Sequence, residues 1–148
     1  MQHDYITLTG HIKLTLIGPD GTIKQEFEKH NLIMTLGKNY ITAWLAATPQ
    51  TGTFMPYMGV GTGTAAPAIT DTDLQSPLPT RVLGSLSNST NTWKNSATFA
   101  SGVDTGTITE AGLFSALTGG TMFAHQVFTP FIKGPTDSFI VNWTVSFS

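Results

Sequence analysis

Cysteine is absent from the 148 residues, which excludes disulfides and thiolate metal sites and leaves the chain indifferent to the redox state of its compartment. Charge is nearly as scarce. Asp, Glu, Lys and Arg make up 11% of the chain, against roughly 25% in a typical soluble domain, and the net charge is −2. Such a balance offers no basic patch for a phosphate backbone, so nucleic acid is not an expected partner. No apolar run approaches the about 20 residues that span a bilayer. Met1-Gln2-His3-Asp4-Tyr5 has neither the basic nor the apolar region of a signal peptide. The expectation is a soluble product of a cytoplasm with no membrane partner.

Catalytic and ligand signatures are missing as well. Gly59-Val60-Gly61-Thr62-Gly63-Thr64 fails the G-x-G-x-x-G spacing, lacks a P-loop Lys, and precedes no helix that could hold phosphate. No Ser stands in a G-x-S-x-G elbow. His3, His11, His30 and His125 each lack another His or Cys at metal-ligand spacing and read as structural or solvent-facing. Asp71 and Asp73 are spaced D-x-D without the rest of a calcium loop, so they read as turn caps. No cofactor, metal or catalytic residue is expected.

What the chain has is threonine, twenty-five copies, in company that alternates. Thr favours strands over helices, and the composition points to an all-β fold. Ile12, Leu14 and Leu16 alternate with Lys13 and Thr15, the turn Gly18-Pro19-Asp20-Gly21 follows, and Thr22 to His30 returns as a charged arm, an edge or solvent-facing strand: a hairpin. Thr35 to Ala47 breaks the two-residue period. Leu36, Tyr40, Trp44 and Ala47 share one helical face, Thr35 is the expected N-cap, and this is the one short helix. Further strands are expected at residues 57–62, 81–86, 92–100, 107–114, 121–128 and 138–147. Residues 63–79 form a long loop anchored by Ile69, Leu74 and Leu78. About seven or eight strands read as a single antiparallel β-sandwich over residues 1–148, jelly-roll or Ig-like.

Two interior positions and an arm stand out. In the last strand Phe139, Val141, Trp143, Val145 and Phe147 share one face, which places Trp143 in the core of a central strand. Glu110 is the lone charge on an apolar strand. A general base is one reading, but no carboxylate or His is near it in sequence. A carboxylate bonded to backbone N–H groups or to an Arg or Lys, tying two loops together, is the favoured one. Residues 1–10 carry Tyr5, Ile6 and Leu8 among strand-favouring Thr, and read as an N-terminal arm seeking a sheet edge on another chain.

In order along the chain, Leu14-Thr15-Leu16-Ile17-Gly18-Pro19-Asp20-Gly21, Asn31-Leu32-Ile33, Gly59-Val60-Gly61-Thr62-Gly63, Asp71-Thr72-Asp73-Leu74, Thr109-Glu110-Ala111-Gly112-Leu113-Phe114 and Asp137-Ser138 recur as turn and strand motifs. Their succession resembles the small β-sandwich virion proteins of tailed bacteriophages. The resemblance implies a non-enzymatic structural protein of the virion, made in the host bacterial cytoplasm. It points first to a capsid decoration or cement protein that stabilises the major capsid shell, as a homo-oligomer, most simply a trimer. A neck, collar or tail adaptor is the alternative. A carbohydrate-binding β-sandwich with Trp44, Trp93 or Tyr57 as stacking platform is a third reading. Sparse surface charge favours association in all three.

Overall fold

The hairpin read from Leu14 to His30 opens the chain. In the computed structural model, which describes residues 6–47 and 53–148, its arms are β1 (Leu8–Ile17) and β2 (Ile23–Ile33). They pair antiparallel from Gly10↔Asn31 to Ile17↔Ile23, with Gly21 at φ 83° in the turn that joins them. The helix α1 (Thr35–Ala46) follows, and then β3 (Tyr57–Gly61), β4 (Pro77–Leu83), β5 (Ser85–Ser89), β6 (Thr92–Phe99), β7 (Gly106–Phe114), β8 (Met122–Lys133) and β9 (Ser138–Phe147).

All-β with one helix holds. Among the described residues the strands number nine, not seven or eight, and hydrogen bonding links them into one sheet in the order β4-β3-β7-β8-β2-β1-β9-β6-β5, nearly closed into a barrel. The additional strand came from residues 77–89. Pro77 and Pro79 disguise β4, which is tolerated because β4 lies at the sheet edge, where a missing N–H breaks no ladder. After one residue, Gly84, the chain becomes β5 at the opposite edge. Gly84 donates its N–H to Pro56 O at 2.8 Å, and a Cβ there would run into the Asn95 side chain. Glycine lets the chain pass this corner without displacing the Asn95 side chain.

β9 lies between β1 and β6, where its alternation places it. Phe139, Val141, Trp143 and Val145 point into the core with Ile12, Leu14, Phe99 and Phe131. Trp143 is fully buried, and its Nε1–H donates to Asn31 Oδ1 at 2.9 Å. Asn31 reaches it over Gly10, where any Cβ would occupy the same space. β8 keeps Pro130 because the register with β7 slips between Ile108 and Glu110, a bulge that leaves this stretch unpaired.

Two expectations about packing faces change. Met34, not Thr35, is the N-cap of α1, and Thr35 N–H donates instead to Ile69 O at 3.0 Å. The face turned to the barrel centres on Gly37, which lies against the Phe123 backbone, so Leu36 is left 45% exposed. The N-terminal arm also ends sooner than residue 10. Leu8, Thr9 and Gly10 pair with Phe147, Ser146 and Val145 as the first rungs of β1, and Thr7 exchanges backbone hydrogen bonds with Ser148. Leu8 packs against the chain's own core, Ile6 is exposed, and Tyr5 lies outside the described residues.

Candidate functional site

Three glycines in five residues, Gly59, Gly61 and Gly63, bring β3 and the segment after it close to β7; Gly59 makes room for Phe114, and the reason for Gly61 and Gly63 is Glu110. Its side chain is wholly buried. Oε1 accepts from the N–H groups of Gly63 at 3.0 Å and Ser76 at 2.8 Å, and Oε2 from Gln75 N–H at 3.0 Å. A Cβ at residue 63 would come within 2.6 Å of Oε1, and one at residue 61 would displace the carboxylate altogether. The glycine motif thus encodes a cradle for a carboxylate.

The fourth partner comes from β8. The β7–β8 hairpin pairs Gly112 with His125 and Glu110 with Val127, which puts His125 diagonally beside Glu110. His125 Nε2 lies 2.9 Å from Glu110 Oε2, and Nδ1 lies 3.0 Å from Asp71 Oδ2. Two acceptors on one ring require both nitrogens to carry hydrogen, so His125 is an imidazolium between two carboxylates. Burial alone would lower its pKa, but the bonds to Glu110 and Asp71 outweigh this and raise it above 6.5. Burial likewise works against the charge on Glu110. The bonds from His125 and from the Ser76, Gln75 and Gly63 amides prevail and hold it below 4.5.

Asp71 also caps its own turn, accepting from Ala68 N–H at 2.9 Å. Residues 62–76 are therefore fastened to the barrel through one carboxylate and one imidazolium. Leu74 adds a small apolar cluster with Met34, Phe114 and Met122, whereas Ile69, expected as an anchor, is 54% exposed. The Arg81 guanidinium lies 3.5 Å from the Phe114 ring centroid and donates to Ala116 O and Gly119 O, holding the β7–β8 turn beside the same segment.

The row Asp71–His125–Glu110 has the composition of a proton relay but not its chemistry. Both ring nitrogens are engaged, the imidazole is wholly buried, and a carboxylate stands at each end where a relay would present a nucleophile. Its work is to fasten a loop. Among the described residues no group of three or more His, Asp or Glu side chains is placed so that it could hold a metal ion without rearrangement, and no helix is long and apolar enough to cross a membrane.

The surface has one conspicuous feature. Ile41, Trp44, Leu45, Phe54, Trp93 and Phe147 line an apolar groove of about 220 Å³ between α1 and the ends of β6 and β9. Phe54 is its floor, in contact with Tyr40, Trp44, Trp93 and Phe123. Tyr57 packs elsewhere, against the Leu74 cluster. Of the residues singled out from sequence, Glu110 and Trp143 are thus interior and far apart in role, Leu8 belongs to β1, and Ile6 faces solvent. Sequence reading missed the link from Glu110 to His125 and Asp71. The signal for it was the hairpin turn at residues 115–121, from which counting back along both strands brings residues 110 and 125 together.

No family model matches this chain, and neither curated proteins nor solved structures give a match.

Proposed function

We propose that this chain is a non-enzymatic structural protein of a tailed-bacteriophage virion, a capsid decoration subunit that associates as a trimer and binds neighbouring major capsid subunits. The observation that carries the reading is the contrast between interior and surface. The conspicuous polar chemistry of the chain, Glu110 with His125 and Asp71, is buried and spent on holding a loop. The surface bears large apolar side chains, Leu45 at 64%, Leu83 at 65% and Ile132 at 61% exposed, with few charges between them. A lone subunit gains nothing from such a surface, whereas a subunit that docks on others does.

The barrel supports the same reading as a flattened sandwich. β2 and β8 are joined by only two residue pairs, Leu32↔His125 and Ile33↔Ala124, and the opposite seam is the Gly84 corner. These two weak seams support reading the nearly closed sheet as two layers, five strands and four. Carbohydrate binding finds less support, because among the described residues the groove holding Trp44 and Trp93 is lined by apolar and aromatic side chains alone.

Labelling the protein on purified particles tests the proposal. Copies in the hundreds per particle are expected. A dozen or fewer places the chain at the neck or tail, and absence from particles overturns the virion reading.

A further inference from the structure

The β1–β2 register places His11 directly opposite His30 on the outer face of the barrel, although nineteen residues separate them in sequence. Their ring centroids are 5.6 Å apart, with the planes at 72°. With Zn–N bonds of about 2.0–2.1 Å, two imidazoles on one tetrahedral ion hold their centroids roughly 5 Å apart. The strands therefore hold the two rings edge to face near the spacing of a chelating pair, and side-chain rotation turns a nitrogen of each toward one ion. Two further features suit a ligand role. His30 Nδ1 lies 3.3 Å from Gly10 O, and since a carbonyl only accepts, that nitrogen carries the hydrogen and Nε2 keeps its lone pair. A backbone carbonyl on the far nitrogen is the usual orienting contact of a metal-bound imidazole. Glu28, one pleat away on the same face, places Oε2 3.8 Å from His11 Nε2.

We propose that His11, His30 and Glu28 form a surface site for a borderline divalent transition metal of the zinc, nickel or copper class. Imidazole selects these ions over magnesium and calcium, which take oxygen ligands. The two histidines supply the preset pair. Glu28 completes the set by turning away from Lys13, whose Nζ lies 3.5 Å from its Oε1, and water fills the remaining position. Lys13 also has Glu26 at 3.7 Å, so it keeps a carboxylate partner when Glu28 turns. All these side chains stand on two paired strands, half-exposed or exposed, so binding needs no opening of the fold.

Titration calorimetry of the full chain with zinc chloride, in a buffer that does not chelate, tests the site. One zinc per chain is expected and no uptake of magnesium. His11→Ala and His30→Ala should each lower zinc affinity by at least about 10-fold, the lower end of what even outer-shell changes cost. Glu28→Gln should weaken binding, and Lys13→Ala should strengthen it by freeing Glu28. Circular dichroism checks that the variants keep the parent fold. No stoichiometric uptake by the parent, or uptake unchanged in either histidine variant, overturns the site. Unchanged affinity in Glu28→Gln overturns the three-residue assignment.

Discussion

Replacing Trp143 by Ala removes the largest fully buried side chain and strands Asn31 Oδ1 without its donor. Truncations of this kind cost about 3–5 kcal/mol, a large part of a domain's stability, and a thermal melt should show a transition lowered by many degrees or lost. A melt within a degree or two of the parent would refute the burial. Glu110→Ala is expected to cost as much by another route: it leaves an imidazolium and three amides without their acceptor, and breaking such a buried pair costs about 3–5 kcal/mol. The same pair sets a pH dependence. Glu110 is held below 4.5, so its contribution is complete above 4.5 and is lost as pH falls through the lowered value. His125 is held above 6.5, so its contribution is complete below 6.5 and is lost as pH rises through the raised value. Denaturant midpoints should therefore peak between pH 4.5 and 6.5. In His125→Gln the decline on the alkaline side should disappear; an unaltered profile would refute the imidazolium. Trp143 was legible from sequence because period-2 alternation reports burial directly. The partners of Glu110 were not, because a diagonal pair across a hairpin depends on register, and Asp71 arrives from a loop that has no period at all.

At the level of elements, regularity decided what could be read. β9 and the β1–β2 hairpin alternate cleanly and were placed correctly, whereas β4 was hidden by two prolines that only an edge position permits. The helix is legible, and Tyr40 and Trp44 pack on the expected face, but Leu36 does not, because a helical wheel weighs Leu36 as core and Gly37 as nothing. Contact with a strand backbone reverses that weighting. In Gly37→Ala the new Cβ would sit 2.7 Å from Phe123 O and 2.8 Å from its Cα, atoms that cannot move without disturbing β8. Alanine gains about 1 kcal/mol of helix propensity over glycine, but a clash of this kind costs about 1–3 kcal/mol, so net destabilisation is expected. Trp44 fluorescence should shift to the red as the helix lifts, and a stabilised variant would show that α1 packs differently. Truncation separates arm from strand. Removing residues 1–6 should leave the fold intact, whereas removing residues 1–10 also deletes three rungs between β1 and β9 and should unfold the chain or sharply lower its stability. A well-folded 1–10 deletion, seen by circular dichroism, would return those residues to the role of an arm.

For the whole molecule, the balance of sparse charge and exposed apolar side chains predicts association. Light scattering at increasing concentration should show a trimer, and a monomer at every concentration, with no larger form on particles, would remove the assembly reading. Fold class was legible here, since threonine-rich composition with frequent turns admits little else. The passage of the chain from one sheet edge to the other at Gly84 was not, because the crowding there is steric and invisible until the Asn95 side chain is brought beside it.

The place of β9 has a consequence for how the protein is made. Its two neighbours, β1 and β6, are complete well before it emerges from the ribosome, yet neither can satisfy its inner edge until it does. Vectorial synthesis therefore leaves the nascent chain in two parts, β4-β3-β7-β8-β2-β1 and β6-β5, each with a bare hydrogen-bonding edge, and the last ten-residue strand joins them. Such edges are where unfinished chains stick to one another. Chains truncated before Ser138 should aggregate or be cut by protease at these two bare edges, with resistance gained in one step when Ser138–Phe147 is restored.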